Sequence, residues 1–167
     1  AGRGDPTVLQ GVQRGQAVAM EREVAGVKVK TVPTDHDTSG GRERGKNAVF
    51  VFEEGGIRVA HLGDLGHELT EAQARDIGRV DVLLVPVGGH FTIDARAADA
   101  VVDRLRPKVV VPMHYRTAAT ADWPIAPVDT FLEGKAAVRR LGSDTAEVSA
   151  STLPVSTEVW VLEKPGL

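Results

Sequence analysis

Apolar and polar positions alternate through the first third of the chain. "TVLQG", "QAVAMERE" and "VAGVKVKTVPT" combine β-branched residues with a two-residue period, and glycine-containing turns separate them, so each predicts a strand. "NAVFVFEEGGIRVAHLG" predicts a hairpin with its turn at the Glu-Glu-Gly-Gly centre.

The grammar then changes to alternating helix and strand. "TEAQARDIG" carries a capping box, with Thr70 as N-cap and Gln73 three residues on, and ends at Gly78. "VDVLLVPVGG" and "KVVVPMH" are apolar without alternation, as suits strands buried on both faces. "TIDARAADAVVDRLRP" has apolar positions at helical spacing and stops before Pro107. "VDTFLEGKAAVRRLG" reads as a further helix across Gly134, and "VSTEVWVLE" as a final strand. With no repeat or linker, residues 1–167 read as a single α/β domain with mixed strand directions and a helical layer.

Composition narrows the chemistry. The 167 residues are 42% hydrophobic and 26% charged, the balance of a globular protein. A net charge of −3 without a basic stripe argues against nucleic acid as a partner. The absence of cysteine excludes disulfides, thiolate metal sites and a cysteine nucleophile. No apolar run reaches membrane-spanning length and no signal peptide heads the chain, so the expected setting is cytoplasmic, without a membrane partner.

Three predicted strands end in a candidate ligand: His36 after the strand ending at Thr34, Asp64 after Leu62, and His114 after "KVVVPM". Ligands collect beyond the carboxyl ends of strands in open α/β folds, and imidazole with carboxylate suits zinc, manganese or iron. Singly, His36 reads as a solvated loop residue and Asp64 as a turn residue; together on three strand ends they point to a site. His61 reads as a core histidine. His67 and His90 are candidates for substrate contact or proton transfer, or for capping helices that begin near Thr70 and Thr92. Arg42, Arg44, Lys46 and Asn47 offer an anion site or a solvated loop.

"TDHDTSGGRERGKNAVFVFEEGGIRVAHLGDLGH" and "VDVLLVPVGGHFTIDARAADAVVDRLRPKVVVPMHY", in this order and at this separation, resemble the metallo-β-lactamase superfamily. Within it they resemble the branch of ascorbate-6-phosphate lactonase and related metal-dependent hydrolases. The resemblance implies an αββα sandwich holding one or two divalent ions, zinc or manganese. It makes His36 a ligand of the first metal, Asp64 the bridging aspartate and His114 a ligand of the second. The superfamily's earlier His-x-His-x-Asp-His motif does not occur in this sequence. The resemblance therefore implies a sandwich incomplete at the N-terminus, with about two ligands per ion where catalytic zinc takes about three. A complementing N-terminal segment or a homo-oligomer would complete it; a single ion held jointly by His36, Asp64 and His114 is the alternative.

The function so implied is hydrolysis of an ester, lactone or phosphoester in a small, anionic substrate by a metal-activated water. Asp64 and His67 would be catalytic, and His90, Arg44 and Asn47 would bind substrate. The competing reading is a non-catalytic scaffold or interaction module of the same fold that has lost its metals.

Overall fold

The computed structural model describes residues 8–163. Thr7, the start of the first predicted strand, lies outside them, and residues 8–11 are not in a strand. A short ribbon, β1 (Val12–Gln13) and β2 (Gln16–Ala17), precedes β3 (Met20–Val24). "QAVAMERE" is therefore two strands rather than one. β4 (Val27–Asp35), β5 (Lys46–Glu54) and β6 (Ile57–His61) follow, and Gly55 and Gly56, both at positive φ, make the predicted hairpin turn.

The second half alternates as expected: α1 (Glu71–Ile77), β7 (Val82–Pro86), α2 (Ala95–Leu105) and β8 (Val109–Met113). Thr70 caps α1, accepting from the Gln73 N–H, while the Gln73 side chain accepts from the Thr70 N–H. α2 is capped by Asp94, whose Oδ1 accepts from the Ala97 N–H, so it starts later than Thr92. The helix predicted across Gly134 is shorter. α3 covers only Val128–Leu132, Gly134 adopts φ 73°, and the remainder becomes β9 (Val138–Arg140). A positive-φ glycine ends a helix readily, and here that preference overrides the apolar spacing. β10 (Glu158–Val161) closes the chain as predicted.

Eight strands form one mixed sheet in the order β3-β4-β5-β6-β7-β8-β10-β9. β3 to β6 are antiparallel neighbours, whereas β6, β7, β8, β10 and β9 run parallel. Two reversals separate β4 from β6, so β4 points the same way as β6, β7 and β8. The ends of these four strands consequently share one edge of the sheet.

Side-chain parity then fixes two unlike faces. Leu83, Val85, Val110, Val159 and Val161 pack with Ile77, Ala98, Val101, Leu105 and Phe131 from the three helices. Their sequence neighbours Val82, Val109, Val111 and Trp160 point the other way and cluster with Val59, Leu84 and Leu162. No helix contributes to this second cluster, over which an open groove of about 780 Å³ runs, lined partly by Phe52, Leu84, Val111 and Trp160. The α/β class is as expected. The described residues supply this eight-stranded sheet, the two-stranded β1–β2 ribbon and one helical layer, in keeping with the α/β sandwich expected.

This asymmetry sets the stability map. Leu83→Ala, on the helix-covered face, is expected to lower unfolding free energy by about 3 kcal/mol. Val59→Ala, on the open face, should cost less than about 1 kcal/mol. Urea denaturation of the two variants beside the parent measures the difference, and equal losses would show that the open face is as tightly packed as the other.

Candidate functional site

The loop after β4 is built around one carboxylate. Asp37 Oδ1 accepts from the Ser39 and Gly41 N–H groups and the Ser39 hydroxyl, at 2.7–2.8 Å. Its Oδ2 accepts from the Glu43 and Arg44 N–H groups, at 3.0 and 2.8 Å. The Arg44 N–H in particular, with the other donors, outweighs burial and holds the Asp37 carboxyl well below the usual carboxylate range. Beside it the His36 N–H donates to the Gly45 carbonyl (3.0 Å), closing the loop's neck. The His36 imidazole is then left with a buried Nε2 that has no hydrogen-bond partner. A buried ring nitrogen without a partner is costly unless something else occupies its lone pair.

Asp64 is positioned from beneath by Asn47. The Asn47 amide donates to Thr34 Oγ1 (2.8 Å) and the Leu62 carbonyl (2.9 Å), and its Oδ1 accepts from the Asp64 N–H (3.1 Å). Asn47 is therefore engaged inward, joining the ends of β4 and β6, rather than turned toward a substrate. The Asp64 carboxylate faces out, and its Oδ1 lies 3.0 Å from His114 Nε2. Both side chains are a little under half exposed, at 47% and 44%. His114 holds this place with φ 56°, a left-handed backbone costly for a residue with a Cβ and typical of positions where geometry outranks comfort.

Two glycines make the convergence possible. A Cβ on Gly66 would lie 2.2–2.3 Å from the backbone of His36 and Asp37. One on Gly88 would lie 2.0 Å from the His114 carbonyl oxygen. Hydrogen bonds hold both approaches: Gly66 N–H to the Asp35 carbonyl (3.0 Å), and, beside Gly88 and His114, Val87 N–H to the Met113 carbonyl (3.0 Å).

The remaining histidines divide. His67 Nε2 accepts from the Asp35 N–H (3.1 Å), which leaves Nδ1 as the protonated nitrogen, donating to the Glu68 carbonyl (2.7 Å). Its expected proton-transfer role thus meets a ring whose two nitrogens are both engaged, one by the end of β4 and one by the adjacent Glu68 carbonyl. His90 is exposed, at φ 61°, with its ring edge-on to Phe91. Neither histidine caps a helix; Thr70 and Asp94 do that.

His61 departs from its expected core role. Parity places it opposite Ala60, on the open side, where it lines a small groove with Asn47 and Asp64. Its Nδ1 accepts from the Gly63 N–H (3.0 Å). Burial lowers its pKa below the ordinary 6.5; the Asp64 carboxylate opposes that shift and a charged His114 reinforces it. The strand's own alternation carried this signal, since His61 has the parity of Val59. Asp37 was also missed, although an aspartate entering the glycine-rich "TSGGRERG" is a loop-anchor signal.

The donors do not close into one three-ligand centre. Among the described residues no group of three His, Cys, Asp or Glu side chains converges tightly enough to hold an ion. What remains is an Asp64–His114 pair and a separate His36 nitrogen lacking a partner, a distribution that fits two half-sets of ligands.

Residues 2–114 match the family described as the beta-lactamase superfamily domain. This chain belongs to the metallo-β-lactamase superfamily. A UPF0173 metal-dependent hydrolase of Thermococcus onnurineus is 37% identical over 128 residues, covering 75% of this chain and 53% of the relative. A UPF0173 protein of Pyrococcus furiosus is 40% identical over 105 residues, covering 63% and 46%. The chain spans about half the length of the curated relatives it matches.

A metallo-β-lactamase superfamily protein of Thermotoga maritima, proposed to be a Zn-dependent hydrolase, superposes with a TM-score of 0.74 at 44% identity, over 87% of this chain and 69% of its own. A metal-dependent hydrolase candidate of Parabacteroides distasonis, at 16% identity and TM-score 0.53, covers 87% of this chain and 56% of its own and shares the fold. No helix among the described residues of this superfamily member is long and apolar enough to cross a membrane.

Gly66→Ala is expected to lower unfolding free energy by about 2 kcal/mol or more, because backbone rather than a flexible side chain blocks the new methyl. Thermal unfolding measures this. In Asp37→Asn the side-chain NH₂ cannot accept from Glu43 and Arg44, so exchange of those two amides should accelerate at least about ten-fold by hydrogen-exchange NMR. The depressed Asp37 pKa contributes stability that is complete above about pH 4, the unfolded value, and is lost as pH falls through the folded value. His61 in metal-free protein should titrate below 6.5 in an NMR pH series; a midpoint above 6.5 would contradict its placement.

Proposed function

We propose that the protein acts as a metal-dependent hydrolase on a small anionic ester, lactone or phosphoester. The observation that carries this is the half-exposed Asp64–His114 pair on the shared edge of β4, β6, β7 and β8. A carboxylate and an imidazole 3.0 Å apart, supported by Asn47 from below and by a strained backbone at His114, are preorganised donors.

Zinc or manganese, when bound, supplies Lewis acidity and lowers the pKa of coordinated water. Asp64 would serve both ions, with His114 on one and the His36 Nε2 on the other. Catalytic sites commonly use about three protein ligands, so a complementing N-terminal segment or a second copy of the chain supplies the remainder in this reading. His61 lies in the same small groove as Asp64, with its Nδ1 accepting from the Gly63 N–H, whereas the His67 ring is engaged by the Asp35 N–H and the Glu68 carbonyl. Arg44 and His90, both exposed on this edge, would receive the anionic part of the substrate.

A non-catalytic scaffold is the second reading, favoured by the lack of a three-ligand group among the described residues. Calorimetric titration with Zn²⁺ and Mn²⁺, followed by hydrolysis of a nitrophenyl ester with and without chelator, separates the two. The hydrolase reading expects Asp64→Asn and His114→Ala each to weaken metal binding by at least about ten-fold and to abolish chelator-sensitive turnover. Unchanged binding in both variants, or turnover indifferent to chelator, would overturn it.

A further inference from the structure

Two aromatic rings and a guanidinium stand together at the rim of this edge without serving the core. Phe91 is 37% exposed and Trp123 54%. The chain has four phenylalanines and two tryptophans, and one of each is placed in solvent here. Their rings meet edge to face, with centroids 6.1 Å apart. The Arg44 guanidinium carbon lies 5.9 Å from the Phe91 centroid, and His90 packs edge-on against the same ring at 4.5 Å. Among the described residues no carboxylate pairs with Arg44, and its side chain makes no hydrogen bond to protein.

The three side chains come from the loops that carry or abut the candidate ligands. Arg44 is fixed by its backbone N–H on Asp37, next to His36. Phe91 follows Gly88, which touches the His114 carbonyl. Trp123 follows the turn at Ala118–Thr120 beyond His114, its N–H donating to the Thr120 carbonyl, and Ala126 ties the segment back to Gly88. The rim is thus connected to the same backbone segments as the donors, and its guanidinium has no carboxylate or hydrogen-bond partner among the described residues.

We propose that Arg44, Phe91 and Trp123 form a substrate-selecting subsite for a planar aromatic ring that bears an anionic group. The two exposed rings offer edges and faces for stacking, and the unpaired guanidinium offers directed donors to a phosphate or carboxylate. Neither part alone explains the arrangement: a simple anion site has no use for exposed indole, and a simple apolar contact has no use for an unpaired cation. This rests on the hydrolase reading for what happens to the ligand, and it narrows the substrate to an anionic aromatic ester.

The binding test needs no metal. Calorimetry in EDTA compares phenyl phosphate, inorganic phosphate and phenol as ligands of the protein. Phenyl phosphate is expected to bind at least about ten-fold more tightly than either fragment. Trp123→Ala and Phe91→Ala should each remove the preference over inorganic phosphate. Arg44→Ala should weaken phenyl phosphate about ten-fold, with partial recovery in Arg44→Lys. All are surface positions, so unchanged thermal unfolding identifies the losses as binding effects. Equal affinity for phenyl phosphate and inorganic phosphate, or a preference that survives Trp123→Ala, would overturn the subsite. Failure of metal titration with this preference intact would overturn the hydrolase reading alone.

Discussion

Close backbone approach at Gly66 and Gly88 is the constraint on which the site depends. Nothing larger than hydrogen fits where Gly66 faces His36 and Asp37, or where Gly88 faces the His114 carbonyl. These contacts bring the loop after β6 against the loop after β4, and the loop after β7 against the end of β8. Asp64, His36 and His114 are otherwise far apart in sequence, and strand pairing alone would set them only on a common edge. The glycines bring the loops that carry these residues into direct contact along that edge.

Around that constraint, charge and hydrogen bonding fix the finer geometry. Asp37 gathers five donors and gives the β4–β5 loop one shape, so Arg44 and His36 do not move independently. Asn47 ties β4, β6 and the Asp64 backbone together through a single amide. His67 Nε2 holds the end of β4 through the Asp35 N–H, while Nδ1 is fixed on the neighbouring Glu68 carbonyl. The polar residues of this edge separate into those engaged in holding backbone and those whose side chains stay available.

Much of this was legible in the residues, but unevenly. The "EEGG" hairpin, the Thr70 capping box and the apolar runs that became β7 and β8 all appear where local pattern placed them, because turn chemistry and periodicity act over a few residues. α3 did not, since apolar spacing past Gly134 suggested a continuing helix while pairing with β10 drew those residues into a strand. The strand-end positions of His36, Asp64 and His114 were readable; the 3.0 Å Asp64–His114 pairing and the separateness of His36 were not, since they depend on contacts between loops distant in sequence. His61 shows a different limit. Its parity was on the page, but a histidine beside leucine invited a core assignment that alternation itself argued against.

β6 is the seam of the sheet, antiparallel to β5 on one side and parallel to β7 on the other. The half that carries His36 closes through short hairpins, whose ends meet quickly and at small entropic cost. The half that carries His114 needs helical crossovers, and its strand pairs span long stretches of chain. Asp64 follows the seam strand, so its full set of neighbours exists only after the slower, nonlocal half has docked on the faster one. The donors at this edge therefore come from both halves of the sheet, and a chain with only its hairpins formed would present His36 and Asp64 without His114.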